Sequence, residues 1–185
     1  MVTIGGGYYR GRKIEVPSYL EVPTKSIVRL GVANALSMYL DDASVLDLFA
    51  GSGAVGIELL SRGAKSCVFC DKESEAISVI SKNLNSLHID NSIVMQGDYR
   101  VNLDKLIKQD KRFSIVFVDP PYHDKEAYEY CWSLLKDEEL LLNDGIVVME
   151  YEGNIPVMND GYFARSRTYR YGRTSVTIFW RQLLI

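Results

Sequence analysis

Val45-Leu46-Asp47-Leu48-Phe49-Ala50-Gly51-Ser52-Gly53-Ala54-Val55-Gly56 is a short apolar run that enters a glycine-rich turn and continues as a helix-like segment. Gly51 and Gly53 let the backbone turn tightly and come close to a ligand, and the helix that follows offers free N–H groups at its start. This is the pattern of a nucleotide-type cofactor loop. Its spacing, Gly51-x-Gly53-x-x-Gly56, matches a dinucleotide fingerprint, and Asp71 follows about 20 residues on, at the end of the apolar stretch Ser66–Cys70. A NAD-type reading therefore stands beside others at this point. Asp47 leans away from NAD, because a carboxylate ahead of the turn suits a cationic amino-acid amine, which NAD lacks. Under either reading Asp71 is placed to take ribose hydroxyls. The plainer alternative is that the glycines serve only close packing of helix on sheet.

A second strand-to-turn junction carries different chemistry. Asp119-Pro120-Pro121-Tyr122 directly follows the apolar run Phe113–Val118. Each proline fixes its own φ and pushes the residue before it out of the helical region, so the pair holds the turn extended with carbonyls outward. An exocyclic base amine can donate one hydrogen to the Asp119 carboxylate and one to the Pro120 carbonyl while Tyr122 stacks on the base. An ordinary strand-end turn is the bland alternative.

Around these junctions, apolar strands alternate with helical segments, without repeats, linkers or low-complexity tracts. That alternation predicts a doubly wound, Rossmann-like α/β sheet. Val2–Ile4 and Lys13–Val16 are expected to pair as a small hairpin, followed by a helix over 25–40, where Val28, Val32, Ala35, Leu36 and Tyr39 recur at helical spacing. Strands are expected near 44–49, 66–71, 92–97, 113–118 and 145–151, with helices at 53–62, 73–88, 99–109 and 124–136. Ser175–Trp180 reads as a last strand. In such a sheet the strand ends at Asp47–Gly53, Asp71, Gly97-Asp98 and Asp119–Tyr122 are expected to face one crevice. We expect one domain over 1–185, with a hairpin and helix extension at 1–42 and a catalytic core at 43–185.

The 185 residues are 47% hydrophobic and 24% charged, enough for a substantial core. No apolar run reaches the ~18 residues that span a bilayer, and Met1 to Gly7 lack the basic and apolar regions of a signal, so no membrane association and a cytoplasmic location are expected. Cys67, Cys70 and Cys131 are an odd set, and residues three apart on a strand face opposite sides, so Cys67-x-x-Cys70 reads as buried apolar thiols. With His88 and His123 the only histidines, no metal site is expected. The net charge of −3 argues against indiscriminate nucleic-acid binding, but basic residues gather at the two ends. Arg10, Arg12 and Lys13 follow Tyr8 and Tyr9. Arg165, Arg167, Arg170 and Arg173 interleave with Tyr162, Phe163, Tyr169 and Tyr171, a mixture suited to phosphate contact and base stacking. A solvated hairpin face is the alternative for each.

Together, DLFAGSG, the strand-end Asp71 and DPPY resemble the S-adenosylmethionine-dependent methyltransferases that modify exocyclic amino nitrogens of nucleic acids. Length and order are similar to the RsmD-like family, which methylates the exocyclic N2 of a guanine in small-subunit (16S) ribosomal RNA. The resemblance extends to Gly-Tyr-Tyr-Arg-Gly-Arg-Lys at 7–13, Pro23-Thr24 before a helix with Arg29 and Asn34, and the terminal Tyr171-Gly172-x-Thr174. It departs at Val22, Leu30, Ala33 and Arg173, where the family pattern has arginine, glutamate, an aromatic and an acid.

The resemblance implies a class I methyltransferase sheet, mostly parallel with an antiparallel last strand. It implies that Asp47, Phe49, Ala50, Gly51, Ser52, Gly53, Asp71, Lys72, Gly97 and Asp98 hold S-adenosylmethionine, with Asp98 on the adenine amine or serving as a helix N-cap. Asp119, Pro120, Pro121 and Tyr122 would form the catalytic set, and Tyr8, Arg10, Arg12, Lys13, Arg170 and Arg173 would meet RNA, with a small ribosomal subunit as the partner of a monomeric enzyme. Adenine-N6 methylation of DNA or RNA keeps the same chemistry on another target. A NAD-dependent oxidoreductase, or a module that binds nucleic acid without turnover, are the readings from other classes.

Overall fold

Apolar runs become parallel strands where both of their faces are covered. The computed structural model describes residues 1–20, 26–136, 140–153 and 161–181. The chain clusters into two units, Met1–Asn102 and Leu103–Ile185.

In the first unit, β1 (Val2–Thr3) and β2 (Lys13–Ile14) form the expected antiparallel hairpin, Val2 opposite Ile14. Helix α1 (Ser26–Ala35) is shorter than the periodicity predicts, and a separate 3-10 turn covers Ser37–Tyr39. Lys25, Val22, Pro23 and Thr24 lie outside the described residues. β3 (Ser44–Asp47), β4 (Ser66–Asp71) and β5 (Ser92–Gln96) lie parallel in the order β5-β4-β3, with Leu46 opposite Val68 and Val68 opposite Ile93. Helices α2 (Ala54–Ser61) and α3 (Ser74–Leu87) make the crossovers. On α3, Ala76, Val79, Ile80, Leu84 and Leu87 are buried, the three-and-four spacing of one apolar face.

Every residue of α2 is buried. Its close seat is made by Gly56, where a Cβ would come within 2.3 Å of Phe69 Cε1. Side chains such as Leu46 and Ile57, both at 0% exposure, each contribute roughly 1.5–3 kcal/mol by leaving water. Cys67 and Cys70 are buried free thiols, and burial pushes the Cys70 thiol up to about 12, so the pair behaves as apolar filling.

The boundary between the units falls inside α4 (Tyr99–Lys108). In the second unit, β6 (Phe113–Val118) runs parallel to β7 (Leu141–Glu152), and α5 (Lys125–Lys136) connects them. β7 begins earlier than expected; Asn143-Asp144-Gly145 reads as turn-forming, yet pairing resumes across it with a register shift between Phe113 and Ile115. β9 (Thr174–Trp180) is antiparallel to β7, as expected of the last strand, and also to β8 (Arg165–Tyr171). β8 was not among the placed strands, because Arg-Ser-Arg-Thr-Tyr-Arg-Tyr has no apolar alternation, although a solvated hairpin face was the alternative for this segment. It sits at the edge beyond β9, where pairing supplies the strand and arginines guard the open side. The result is an α/β fold with a mostly parallel seven-stranded sheet, an antiparallel last strand and a small N-terminal hairpin. Among the described residues no helix is long and apolar enough to cross a membrane.

Candidate active site

The first unit carries a candidate ligand loop at three strand ends. The turn after β3 closes on itself, Gly53 donating its N–H to the Ala50 carbonyl at 2.7 Å, and Gly53 takes φ 76°, a conformation that suits glycine. Asp47, 1% exposed, accepts the Gly56 N–H through Oδ2 at 3.0 Å. That donor lies in the first turn of α2, whose cap residue Gly53 has no side chain to offer, so Asp47 caps the helix from six residues upstream of it. Burial raises the Asp47 carboxyl to about 7, against the lowering effect of the Gly56 bond, and the charge on Asp71 adds to the rise. Its visible role is to anchor α2.

Asp71 joins all three loops. Its Oδ2 accepts the Gly51 N–H at 2.8 Å, its Oδ1 accepts the Glu73 N–H at 2.9 Å, and its carbonyl accepts the Gly97 N–H at 3.0 Å. A carboxylate has about four lone-pair sites, so two bonds leave capacity for ribose hydroxyls. Asp71 is only partly buried, which fits that use. Phe49, also partly exposed, leans on Tyr99 with ring centroids 5.4 Å apart, and the Arg100 guanidinium lies 4.8 Å from the centre of the Tyr99 ring. Asp98 accepts the Arg100 N–H at 2.9 Å, which is the N-cap role for α4. Ala50 and Ser52 are buried within the turn, while Lys72 is exposed with its ammonium 3.9 Å from Glu73.

In the second unit the candidate substrate turn lies at the end of β6. Asp119 is partly exposed, Pro120 buried, Pro121 exposed, and Tyr122 48% exposed. Pro121 accepts the Asp124 N–H at 2.8 Å and Asp124 in turn accepts the Ala127 N–H at 3.0 Å, so Asp124 caps α5. Burial, with the charges on Asp119 and Glu150, pushes the Tyr122 phenol up to about 12, and its hydroxyl bonds the Thr174 hydroxyl. That contact brings the Tyr171-Gly172-x-Thr174 motif beside DPPY. Arg173, in the same turn, pairs with Glu152 at 3.3 Å. The residue that sequence reasoning missed is Tyr128, on α5. It is 1% exposed, donates its hydroxyl to the Glu150 carbonyl at 2.8 Å and lies 3.4 Å from the Pro120 oxygen.

The basic ends are placed differently from each other. Tyr8, 88% exposed, and Tyr9 meet edge to face at 5.0 Å, and their loop is held to α2: the Ser61 carbonyl accepts the Tyr8 N–H at 2.7 Å and the Ser61 hydroxyl the Tyr9 N–H at 2.9 Å. Arg10 and Lys13 are exposed, while Arg12 donates to the Ser86 carbonyl at 3.0 Å. Arg29 is buried, against the habit of arginine, with its Nε 3.4 Å from Glu58 and its Nη2 donating to the Thr3 carbonyl at 2.7 Å. Glu58 also pairs with Arg62 at 2.8 Å, and Arg62 donates to Asn34 at 2.8 Å. A charged residue inside the apolar run Gly56-Ile57-Glu58-Leu59-Leu60 was the available signal for this network. Leu30 fills the space beside Gly5, where a Cβ would stand 2.0 Å from its Cδ2. In the second unit Arg170 is exposed, and Arg167 lies 5.0 Å from the centre of the Tyr169 ring.

A parallel α/β sheet with an antiparallel last strand, a glycine turn braced by two strand-end acids and a DPPY turn define the Rossmann-like methyltransferase fold. Residues 2–180 match the family model described as Conserved hypothetical protein 95. The Ribosomal RNA small subunit methyltransferase D of Escherichia coli (strain K12) is 34% identical over 152 residues, which is 82% of this chain and 75% of that protein. The solved structure of yhhF from Escherichia coli superposes with a TM-score of 0.85 at 30% identity, covering 99% of both chains. The chain belongs to this family, the RsmD-like family. SMU.776, solved in complex with SAH, has a TM-score of 0.68 at 14% identity over 92% of this chain and 52% of its own, a likeness of fold alone.

Proposed function

We propose that this protein is a single-domain, S-adenosylmethionine-dependent methyltransferase that modifies the exocyclic N2 amine of a guanine in small-subunit ribosomal RNA. Family membership supports methylation of ribosomal RNA, since the relative from Escherichia coli carries that activity in its name. The observation that carries the reading is the Asp119-Pro120 turn. It sets a partly exposed carboxylate beside a carbonyl whose neighbouring phenol gives its one proton elsewhere, to Glu150 at 2.8 Å. Two acceptors side by side match the two hydrogens of an amine.

S-adenosylmethionine, when bound, supplies a methyl group already activated on a sulfonium. The first-unit loops are suited to hold it: Gly51 and Gly53 let the main chain approach, Asp71 has lone pairs for a diol, and a ligand of this class is known in SMU.776, which shares the fold. Asp119 and Pro120 accept both amine hydrogens, which favours a pyramidal nitrogen with its lone pair directed outward. Tyr122 stacks on the base, and its raised pKa keeps the phenol neutral there. After transfer the surplus proton leaves to Asp119 or water. Tyr8, Arg10, Arg12 and Lys13, with Arg170 and Arg173, are assigned to RNA contact. The substrate is then a small ribosomal subunit or its precursor, met by a monomer in the cytoplasm.

The test is incubation with radiolabelled S-adenosylmethionine and small subunits lacking the modification, followed by nucleoside analysis. Label in N2-methylguanosine is expected. Label in N6-methyladenosine would keep the chemistry and move the target; no label in any nucleoside would remove the proposal.

A further inference from the structure

We propose that Tyr128 is a positioning residue for the amine, acting through the Pro120 carbonyl. This rests on reading Asp119-Pro120-Pro121-Tyr122 as the turn that grips the amine. Proline fixes φ, and Pro121 holds the ψ of Pro120 in the extended region, but within that range of about +120 to +160° ψ still sets where the carbonyl oxygen points. Pro120 and Pro121 have no N–H with which to tie themselves to a neighbouring strand, so the direction of this oxygen depends on what it rests against. Tyr128 fills that place. Its ring is fully enclosed on α5, and its oxygen stands 3.4 Å from the Pro120 oxygen.

The two distances decide how the single phenol proton is used. At 2.8 Å from the Glu150 carbonyl the proton belongs to that bond, which anchors the phenol to β7. The longer contact to Pro120 leaves the carbonyl its acceptor capacity while bounding its swing. A strong bond from Tyr128 would compete with the amine; an empty space would let the carbonyl drift. Burial, with the charge on Asp119, pushes the phenol pKa up, so the hydroxyl keeps its proton at any working pH. Tyr128 does not touch the base and acts on it only through Pro120.

Tyr128→Phe removes one oxygen and keeps the ring. In the full-length chain we expect kcat for methyl transfer to small ribosomal subunits to fall at least tenfold, with KM for the subunit and the Kd for SAH, by calorimetry, within twofold of wild type. Leu135→Ala, elsewhere on α5 and 1% exposed, serves as the stability control: its Tm is expected to drop while kcat, assayed well below that Tm, stays within twofold. Pro120→Gly frees the same carbonyl directly, so the double variant is expected to lose little more than either single one. A Tyr128→Phe protein with kcat within threefold of wild type would overturn the proposal, as would losses that multiply in the double variant, an equal kcat loss in Leu135→Ala, or failure of Tyr128→Phe to fold. Absence of methyl transfer by the wild type would instead strike the reading on which the proposal rests.

Discussion

The turn after β3 and the turn after β6 both place an aspartate at the end of an apolar strand and then enter a helix, yet the two acids have different fates. Asp47 is 1% exposed and tied to the Gly56 N–H; Asp119 is partly exposed at the mouth of its turn. The difference follows from what comes next in the chain. Glycines after Asp47 fold the main chain back so that an N–H of α2 meets the carboxylate. After Asp119 stand two prolines, which have no N–H to give, and the capping of α5 falls to Asp124. One acid is buried as a helix cap, while the other stays partly exposed at the end of its strand.

The largest effect should come from removing the more exposed acid, Asp119. Asp119→Ala is expected to lower methyl transfer by roughly 10²–10³-fold, the scale of losing one well-placed transition-state partner, while SAH affinity stays unchanged. Equal loss of both would place Asp119 in the cofactor site or the fold. Gly53→Val should do the opposite, since its φ of 76° does not suit a branched side chain and the loop must admit a ligand: SAH binding by calorimetry is expected to weaken by about 1–3 kcal/mol, roughly 5- to 150-fold. Unchanged affinity would make that loop a packing device only.

The pH dependence of stability sharpens the contrast further. The Asp47 carboxyl is raised from 3.8 to about 7 on folding. The folded state therefore binds the extra proton between those values, and the stabilisation present below pH ~4 is lost as the pH rises toward ~7, by an order of 4 kcal/mol at most. Asp47→Asn, which can still accept from Gly56, is expected to flatten the fall in urea midpoint between pH 5 and 8. A fall as steep as in wild type would assign it to other groups. The smallest effect belongs to the exposed ends: charge reversal of Arg10 with Arg12 should reduce the slope of log affinity for RNA against log salt by about 1–2, and an unaltered slope would leave that segment purely structural.

Much of this was readable from local pattern. The strands at 66–71 and 113–118 were placed as observed, because short, mostly apolar runs bounded by turn residues have few other fates. The two turns were marked by glycine and proline, whose backbone limits travel with the residue. β8 was not readable, since Arg165–Tyr171 becomes a strand only by pairing with β9. Arg29 was noted on a helix, but nothing nearby announced that it would be buried against Glu58, 29 positions away.

What the sequence by itself determined was therefore the order of strands, turns and helices and the chemistry waiting at each strand end, because dihedral preference and apolar spacing act over a few residues. Which acid would be buried and which left accessible, and which phenol would stand behind Pro120, was decided by tertiary structure. Those outcomes depend on donors and volumes brought together from distant positions: Asp71 to Gly51 across 20 residues, and Tyr128 to the Glu150 carbonyl across 22.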